Sequence, residues 1–195
     1  MSEELRYAMS ACVVHLNEAG PRRVRGFLQE DPCIIFVDGA CEDITSAGAV
    51  LLDPRGSNEF WGGILDAETV DTWKTKLFQK QVIGQAELIP LLVSRLTWEK
   101  KLAGRRVLFF MDNESARICA IKSYSPVLPS LEIVMQCIGI DYAKDILAWY
   151  ARVPTCCNIA DGPSRMDSSE AVNLLGAKAV PPVCPKGVVF TRVLV

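Results

Sequence analysis

Two short, unbroken apolar runs constrain the fold of this chain more than any other feature, because each ends abruptly at an aspartate. Residues 33–37 are followed by Asp38, and residues 107–111, the apolar part of the segment that begins at Arg106, are followed by Asp112. Unbroken apolar runs rich in β-branched residues are typical of strands buried on both faces of a sheet. In open α/β sheets ligands collect at strand ends, and neighbouring strands lie only about 4.8 Å apart. The two runs therefore predict central strands that bring two carboxylates together.

The charge balance of the chain excludes several functional classes. Its 195 residues include 21 basic and 23 acidic side chains, a formal net charge of −2. This balance argues against a protein whose entire surface binds nucleic acid or an anionic membrane, although it leaves room for a partner held at one local site. The single histidine, His15, restricts any histidine-based triad to that residue. Because half of the residues are apolar, the chain can bury a substantial core.

The cysteine spacing and the lack of targeting patterns bear on the compartment. Eight cysteines occur without any CxxC pair, so the usual zinc and thioredoxin spacings are absent. The sequence shows no secretory leader pattern, and its apolar runs are far too short to span a bilayer. We therefore expect reduced thiols in an intracellular protein, cytoplasmic or nuclear, without a membrane partner.

The pattern of apolar residues predicts an alternation of strands and helices. The strands cover residues 33–37, 47–52, 58–65, 106–111 and 146–153, and the helices cover 2–19, 82–102, 115–122 and 131–145. Pro90 lies inside the longest helix, where its missing backbone donor predicts a kink or a late start. Turn residues at 53–56 join the second and third strands into a hairpin.

Shifts in composition divide the chain into three parts. Residues 1–31 are an N-terminal helix and a connector that is basic at 21–25, and residues 32–166 form an α/β domain. Residues 167–195 are a C-terminal tail rich in turn formers, which we expect to cross the surface or to end in an edge strand at 188–195.

Two further acids accompany the aspartates of the central strands. Glu87 lies on the long predicted helix, and Asp161 follows the last predicted strand across a short loop. Clustered carboxylates repel one another unless a cation neutralises them, and oxygen ligands without histidine or paired cysteine select Mg²⁺ or Mn²⁺. Two such ions about 3.5–4 Å apart activate water and stabilise the leaving oxygen in phosphodiester cleavage.

Four short motifs in this order resemble the ribonuclease H family. They are Asp38-Gly39-Ala40, Gln85-Ala86-Glu87-Leu88, Met111-Asp112-Asn113 and Asn158-Ile159-Ala160-Asp161-Gly162-Pro163-Ser164-Arg165. The most similar variety is the one fused to reverse transcriptases of eukaryotic retroelements, and the match covers residues 33–166. The resemblance implies an α/β fold with a five-stranded mixed sheet, the first three strands antiparallel, flanked by helices. It also implies Mg²⁺-dependent endonucleolytic cleavage of the RNA strand of RNA–DNA hybrids.

The resemblance implies a metal-binding role for each of the four acids. Asp38 would bridge two ions, Asp112 would hold the ion on the nucleophile side, and Asp161 would hold the ion on the leaving side. Glu87 would meet the region of the scissile phosphate. The implied cofactor is therefore Mg²⁺, or Mn²⁺, as two ions.

Three neighbours of these acids would contact the substrate. The Gly39 amide would approach a ribose closely, where a side chain would obstruct it. Gln85 and Asn113 would read the minor groove and the RNA 2′-hydroxyls, which distinguish RNA from DNA. For the same two residues, capping of a helix start or a strand end is the alternative role.

The sequence also departs from the family pattern. Many members place a histidine in the loop before the fourth acid, whereas this chain has Thr155-Cys156-Cys157 there, which bears on turnover rather than on metal binding. A basic, tryptophan-rich handle after Asp112 is missing, so we expect an isolated domain to hold its substrate weakly. No polymerase signature is present, and a reverse transcriptase polymerase domain is a candidate partner that would supply phosphate contacts.

Two other functions remain open at this point. The chain could be a non-catalytic ribonuclease H-like scaffold or partner-binding module, consistent with its acidic balance and missing handle. It could also be a nuclease of the same fold that acts on DNA. Retention of all four acids favours catalysis, because a dead domain has no chemical reason to keep a repulsive cluster.

Overall fold

A mixed sheet forms the centre of the molecule. The computed structural model describes residues 1–18, 31–77 and 82–194, and within these ranges the sheet has seven strands. They are β1 Cys33–Cys41, β2 Thr45–Leu52, β3 Glu59–Leu65, β4 Arg106–Met111, β5 Leu147–Arg152, β6 Lys178–Ala179 and β7 Phe190–Val193. Their order is β5-β4-β1-β2-β3-β6, with β7 also paired to β3.

The strand directions agree with the predicted topology. β1, β2 and β3 form an antiparallel meander, whereas β4 runs parallel to β1 and β5 runs parallel to β4. The prediction of a mixed sheet whose first three strands are antiparallel is therefore confirmed. The basic connector predicted at 21–25 lies outside the described residues.

Helices cover both faces of this sheet. They are α1 Glu3–Glu18, α2 Ala67–Leu77, α3 Ile83–Thr97, α4 Glu99–Leu102, α5 Glu114–Lys122, α6 Leu128–Ala143, α7 Asp161–Ser164 and α8 Ser169–Asn173, with a 3-10 helix at Thr155–Cys157. The main core lies where α3 and α6 pack on the sheet, and a smaller cluster joins β2 and β3 to α8 on the opposite face. None of the described helices combines the length and apolarity needed to cross a membrane.

The predicted number of five strands is wrong, because the C-terminal segment adds two strands to the sheet. β6 pairs in parallel with the beginning of β3, and β7 pairs in antiparallel with its end. Without them this edge of β3 would leave backbone donors and acceptors unpaired, and covering such an edge also prevents pairing with other chains. β7 lies within the segment for which an edge strand was one of the two expected outcomes.

The predicted end of the first strand at Asp38 is also wrong. β1 continues to Cys41, since its last residues pair with β2 in the hairpin, from Asp38 opposite Gly48 to Cys41 opposite Thr45. Asp38 therefore lies inside a strand with a fixed side-chain direction. Asp112, by contrast, follows the last residue of β4 as predicted.

The long predicted helix over 82–102 is divided in the structure. α3 ends at Thr97 and α4 begins at Glu99, with Trp98 between them. Pro90 lies inside α3 without delaying its start, which is Ile83. All residues of α3 from 85 to 95 are buried, because the helix lies between the sheet and α6, and this packing outweighs the missing hydrogen bond at the proline.

A buried ion pair ties α3 to α6. The Arg95 guanidinium, fully buried, donates from Nε and Nη2 to the two carboxylate oxygens of Asp141 at 2.8 and 3.0 Å. It also donates to the Tyr150 hydroxyl at 2.7 Å and lies over the Phe109 ring, 4.3 Å from its centroid. One side chain therefore joins two helices and two strands.

Removing the acid of this pair tests its contribution to stability. Asp141→Asn should lower the free energy of unfolding by about 3–5 kcal/mol, because the Arg95 charge then stays buried without its partner. Denaturant unfolding measures the effect, and Glu132→Gln is the matched control since it breaks the half-exposed pair with Lys76. That control should change stability by less than ~1 kcal/mol. Equal losses of stability in the two variants would contradict the inference that the buried Arg95–Asp141 pair contributes more to stability than an exposed pair.

Candidate metal centre

Three of the four predicted acids converge at one end of the central strands. β1 and β4 are parallel neighbours in which Phe36 lies opposite Phe110, so the same register continued by two residues brings Asp38 beside Asp112. Glu87 reaches them from α3. One carboxylate oxygen of each acid lies within 4.8 Å of one from each of the others. The prediction that folding unites these three acids agrees with their geometry.

Glu87 reaches the cluster because α3 lies directly against β1 at Gly39. A Cβ atom at position 39 would lie 2.1 Å from the Ala86 carbonyl oxygen, a distance that no side chain tolerates. The Gly39 backbone in turn forms a hydrogen bond with the Glu87 carboxylate. The glycine is therefore explained by helix packing, and its expected contact with a ribose stays a prediction.

Asn113 links the cluster to α5. Its Oδ1 accepts from the Ala116 backbone N–H at 3.0 Å and caps the helix, while its Nδ2 donates to Glu87 Oε1 at 3.3 Å. The capping alternative considered for this residue is therefore what its contacts show. Its position beside Glu87 also keeps it close to the candidate metal ligands.

The electrostatics of the cluster indicate a deficit of positive charge. Burial, reinforced by the charges of Asp112 and Asp161, raises the pKa of Asp38 to about 6 even though Ser164 donates a hydrogen bond to it. Burial and the charges of Asp38 and Asp112 raise the pKa of Glu87 to about 8. No described Lys or Arg forms an ion pair with any of the three clustered acids. The donor set is oxygen alone, which fits a hard divalent cation such as Mg²⁺ or Mn²⁺.

Asp161 lies apart from this group and has a different partner. As the first residue of α7, it accepts from Arg165 Nε at 2.9 Å, and the same guanidinium donates from Nη1 to Glu42 at 2.9 Å. Its charge still contributes to the raised pKa of Asp38. Within the described residues, the set close enough to share one ion contains the other three acids, and the metal role of Asp161 stays a prediction.

Gln85 is held on the side of α3 that faces α6. Its side chain is buried, and its Nε2 donates to Ser130 Oγ at 2.6 Å. The amide nitrogen is therefore already engaged within the protein. Contact between Gln85 and a substrate stays a prediction that requires this hydrogen bond to open.

Two residues that the sequence reasoning left without a role hold Asp38 in place. Asn158 Nδ2 donates to Asp38 Oδ1 at 3.3 Å and to the Val37 carbonyl at 3.2 Å. Ser164 Oγ donates to Asp38 Oδ2 at 2.5 Å. Both belong to the motif over 158–165, but polar residues beside turns usually cap backbone groups, so their type alone did not indicate a carboxylate partner.

The fold of this chain is the ribonuclease H fold. Solved structures that share it include those of three proteins. Ribonuclease H1 from the halophilic archaeon Halobacterium salinarum NRC-1 superposes with a TM-score of 0.51 at 16% identity, covering 73% of this chain and 98% of that one. The N-terminal RNase H domain of a Mycobacterium tuberculosis protein gives 0.51 at 16% identity over 73% and 97%. LC11-RNase H1, isolated from compost by a metagenomic approach and solved with an RNA/DNA hybrid, gives 0.53 at 18% identity over 72% and 99%.

These likenesses are structural and confirm the expected fold class. At the level of sequence, no protein-family model and no curated protein matches the chain. The resemblance to the type fused to reverse transcriptases accordingly stays a prediction.

Substituting two glycines tests the packing of α3 on β1. Gly39→Ala should lower the free energy of unfolding by about 1–3 kcal/mol, because its Cβ meets helix backbone that cannot move aside locally. Gly84→Ala is the control, since the nearest atom to its Cβ would be 3.9 Å away, and it should be neutral or stabilise the fold by up to ~1 kcal/mol. Thermal or denaturant unfolding measures both, and a neutral Gly39→Ala would show that the contact is not rigid.

The raised pKa values predict a pH dependence for the metal-free protein. A carboxyl whose pKa is raised on folding stabilises the fold fully below its ordinary pKa, and this stability is lost as the pH rises through the folded value. For Glu87 the window runs from about 4.5 to about 8. Glu87→Gln should therefore become more stable relative to wild type between pH 5 and pH 8.5, by roughly 2–4 kcal/mol.

Unfolding in EDTA at several pH values measures this difference. Glu68→Gln, an exposed glutamate on α2, is the control and should show a constant difference from wild type. A constant difference for Glu87→Gln as well would contradict the raised pKa.

Proposed function

We propose that the chain is a divalent-metal-dependent endonuclease that hydrolyses the RNA strand of RNA–DNA hybrids. The observation that carries the proposal is the convergence of Asp38, Glu87 and Asp112 within a ribonuclease H fold. The solved complex of LC11-RNase H1 with an RNA/DNA hybrid supports the substrate class, because that protein has the same fold.

Asp38, Glu87 and Asp112 are the residues that would hold the ion. Divalent cations bound there would supply an activated water and stabilise the charge that develops on the leaving oxygen. The chain itself supports this arrangement through donors to the carboxylates. Asn158 and Ser164 fix Asp38, and Asn113 holds Glu87 from the side of α5.

A second ion is part of the proposal and involves Asp161. Its carboxylate is paired with Arg165, which is half exposed and also paired with Glu42. Exposed ion pairs are worth little, about 0–1 kcal/mol, so exchange of Arg165 for a divalent cation is inexpensive. Released in this way, the Arg165 guanidinium would be available for a substrate phosphate.

Substrate contacts are proposed for the residues around the cluster. Gly39 and Asn113 lie beside Glu87, and their amides would meet the RNA strand only after leaving the Glu87 carboxylate, with which both form hydrogen bonds. Gln85 would join them only after leaving Ser130. The context of a retroelement reverse transcriptase is also proposed, on the sequence motifs, with a polymerase domain as the partner that supplies phosphate contacts.

Cleavage of a labelled RNA–DNA hybrid tests the activity. With Mg²⁺ present, the wild-type chain should cut the RNA strand internally, and chelation by EDTA should abolish the reaction. Asp112→Asn should lower the rate by more than about 100-fold, since loss of residues that merely support metal ligands already costs about 10- to 100-fold. Asp71→Asn removes an equal charge from an exposed position on α2 and should leave the rate unchanged.

The choice of substrates separates this proposal from the alternatives. Equal cutting of an all-DNA duplex would indicate a DNA nuclease of the same fold. A folded chain that binds neither Mg²⁺ nor Mn²⁺ in calorimetry would indicate a scaffold or a partner-binding module. Full activity of Asp112→Asn would overturn the assignment of the centre.

A further inference from the structure

Ser164 occupies an unusual position between two of the candidate metal ligands. Its side chain is fully buried, and its Oγ lies 2.5 Å from Asp38 Oδ2 and 2.9 Å from the backbone carbonyl oxygen of Asp161. A hydroxyl has one hydrogen to donate, and an ionised carboxylate is a stronger acceptor than a neutral carbonyl. When Asp38 is ionised, the Ser164 hydroxyl therefore donates its hydrogen bond to the Asp38 carboxylate rather than to the Asp161 carbonyl.

The sheet itself brings Ser164 to this position. Asp38, Gly48 and Gly62 are paired across β1, β2 and β3, so they form one row on the same face of the sheet. A Cβ at position 48 would lie 2.4 Å from the Ser164 backbone nitrogen, and one at position 62 would lie 2.1 Å from the Pro163 carbonyl oxygen. Gly48 and Gly62 thus form a glycine trough, a strip of the sheet surface without side chains, and α7 packs into this trough beside Asp38.

The two oxygens of Asp38 have separate donors. Asn158 donates to Oδ1 and Ser164 donates to Oδ2, which fixes both the tilt and the rotation of the carboxylate. Each carboxylate oxygen has further lone pairs, so these hydrogen bonds leave acceptor capacity for a cation shared with Glu87 and Asp112.

We propose that Ser164 is a positioning residue for Asp38, whose hydroxyl holds the carboxylate in the orientation that shares a divalent cation with Glu87 and Asp112. This role rests on the proposed metal-dependent function. It assigns to the motif over 158–165 a task beyond supplying Asp161, because the same turn would then set the geometry of the ligand on β1.

Metal binding by the full chain tests the proposal without relying on cleavage. Ser164→Ala should weaken binding of Mg²⁺ and Mn²⁺, measured by calorimetry, by roughly 10- to 100-fold, the usual effect of losing a residue that orients a metal ligand. Ser164→Cys keeps the volume but offers only a weak donor, so it should show a similar loss. If the role of Ser164 were packing alone, the cysteine variant would bind metal like wild type.

Ser94→Ala provides a matched control. Ser94 is also a fully buried serine, but its hydroxyl has no hydrogen-bond partner among the residues that the structure describes, so the substitution should leave metal binding and melting temperature close to wild type. In hybrid cleavage, Ser164→Ala should raise the Mg²⁺ concentration needed for half-maximal rate while leaving KM for the hybrid unchanged at saturating Mg²⁺. A purely structural defect would not separate these two quantities.

The outcomes distinguish this proposal from the proposed function. Metal affinity of Ser164→Ala within twofold of Ser94→Ala would overturn the positioning role even if the wild type cleaves hybrids. Metal binding by wild type without cleavage of any substrate would overturn the nuclease assignment, while the affinity of Ser164→Ala would still decide the role of Ser164. Absence of Mg²⁺ and Mn²⁺ binding by wild type would overturn both.

Discussion

The candidate centre depends on the absence of side chains where helices meet the sheet. At Gly39 the backbone of α3 lies directly on β1, closer than any Cβ would allow, and this contact brings Glu87 to Asp38 and Asp112. A side chain at that position would separate helix and strand, and the carboxylate of Glu87 would move away with the helix. Since successive strand residues face opposite sides, Gly39 faces α3 while Asp38 faces α7. The two residues of this dipeptide therefore contact helices on opposite faces of the sheet.

On the opposite face of the sheet, glycines again allow a helix to approach the strand backbones closely, and here the helix is α7. Gly48 and Gly62 let α7 rest on the strand backbones, and the helix contributes Ser164 to Asp38 and Asp161 to its surroundings. Short helices have little stability of their own, so the four residues of α7 depend on this seat for their position. Such close packing makes the two glycine positions intolerant of substitution, because an added methyl group would meet backbone atoms rather than a mobile side chain.

The sequence was sufficient to predict the parts of the fold that local patterns encode. Unbroken apolar runs located β1 and β4, and their acids lie side by side because the two strands are parallel and in register. The extension of β1 to Cys41 was not predictable from apolarity, since it depends on hairpin pairing of polar and small residues with β2. β6 is two residues long, too short for any periodicity to show, whereas β7 lies in the segment for which an edge strand was one of two expectations. Both strands pair with the otherwise open edge of β3.

The same limit applies to the centre, where residue type indicated the acids but not the groups that orient them. Asn158 and Ser164 lie far from Asp38 along the chain, and only the packing of α7 against the glycine trough makes them its donors. Gln85 shows the converse: its motif position two residues before Glu87 suggests a substrate contact, which stays a prediction, whereas its amide nitrogen is directed to Ser130 in the structure. The direction of the Gln85 side chain depends on how α3 is rotated about its axis, and a short sequence motif does not specify that rotation.

Buried charge is paired within the chain at one place in the protein and, among the described residues, lacks an ion-pair partner at another, and this contrast bears on what the centre requires. On one side of the molecule Arg95 is fully buried, but Asp141 and Tyr150 satisfy its guanidinium within the chain. At the cluster, three buried or half-buried acids face one another, and no described Lys or Arg pairs with them. A net charge of −2 averages over both situations and conceals the second. Because buried carboxylates without a positively charged partner repel one another, a divalent cation held between these three acids would make this end of the sheet electrostatically complete.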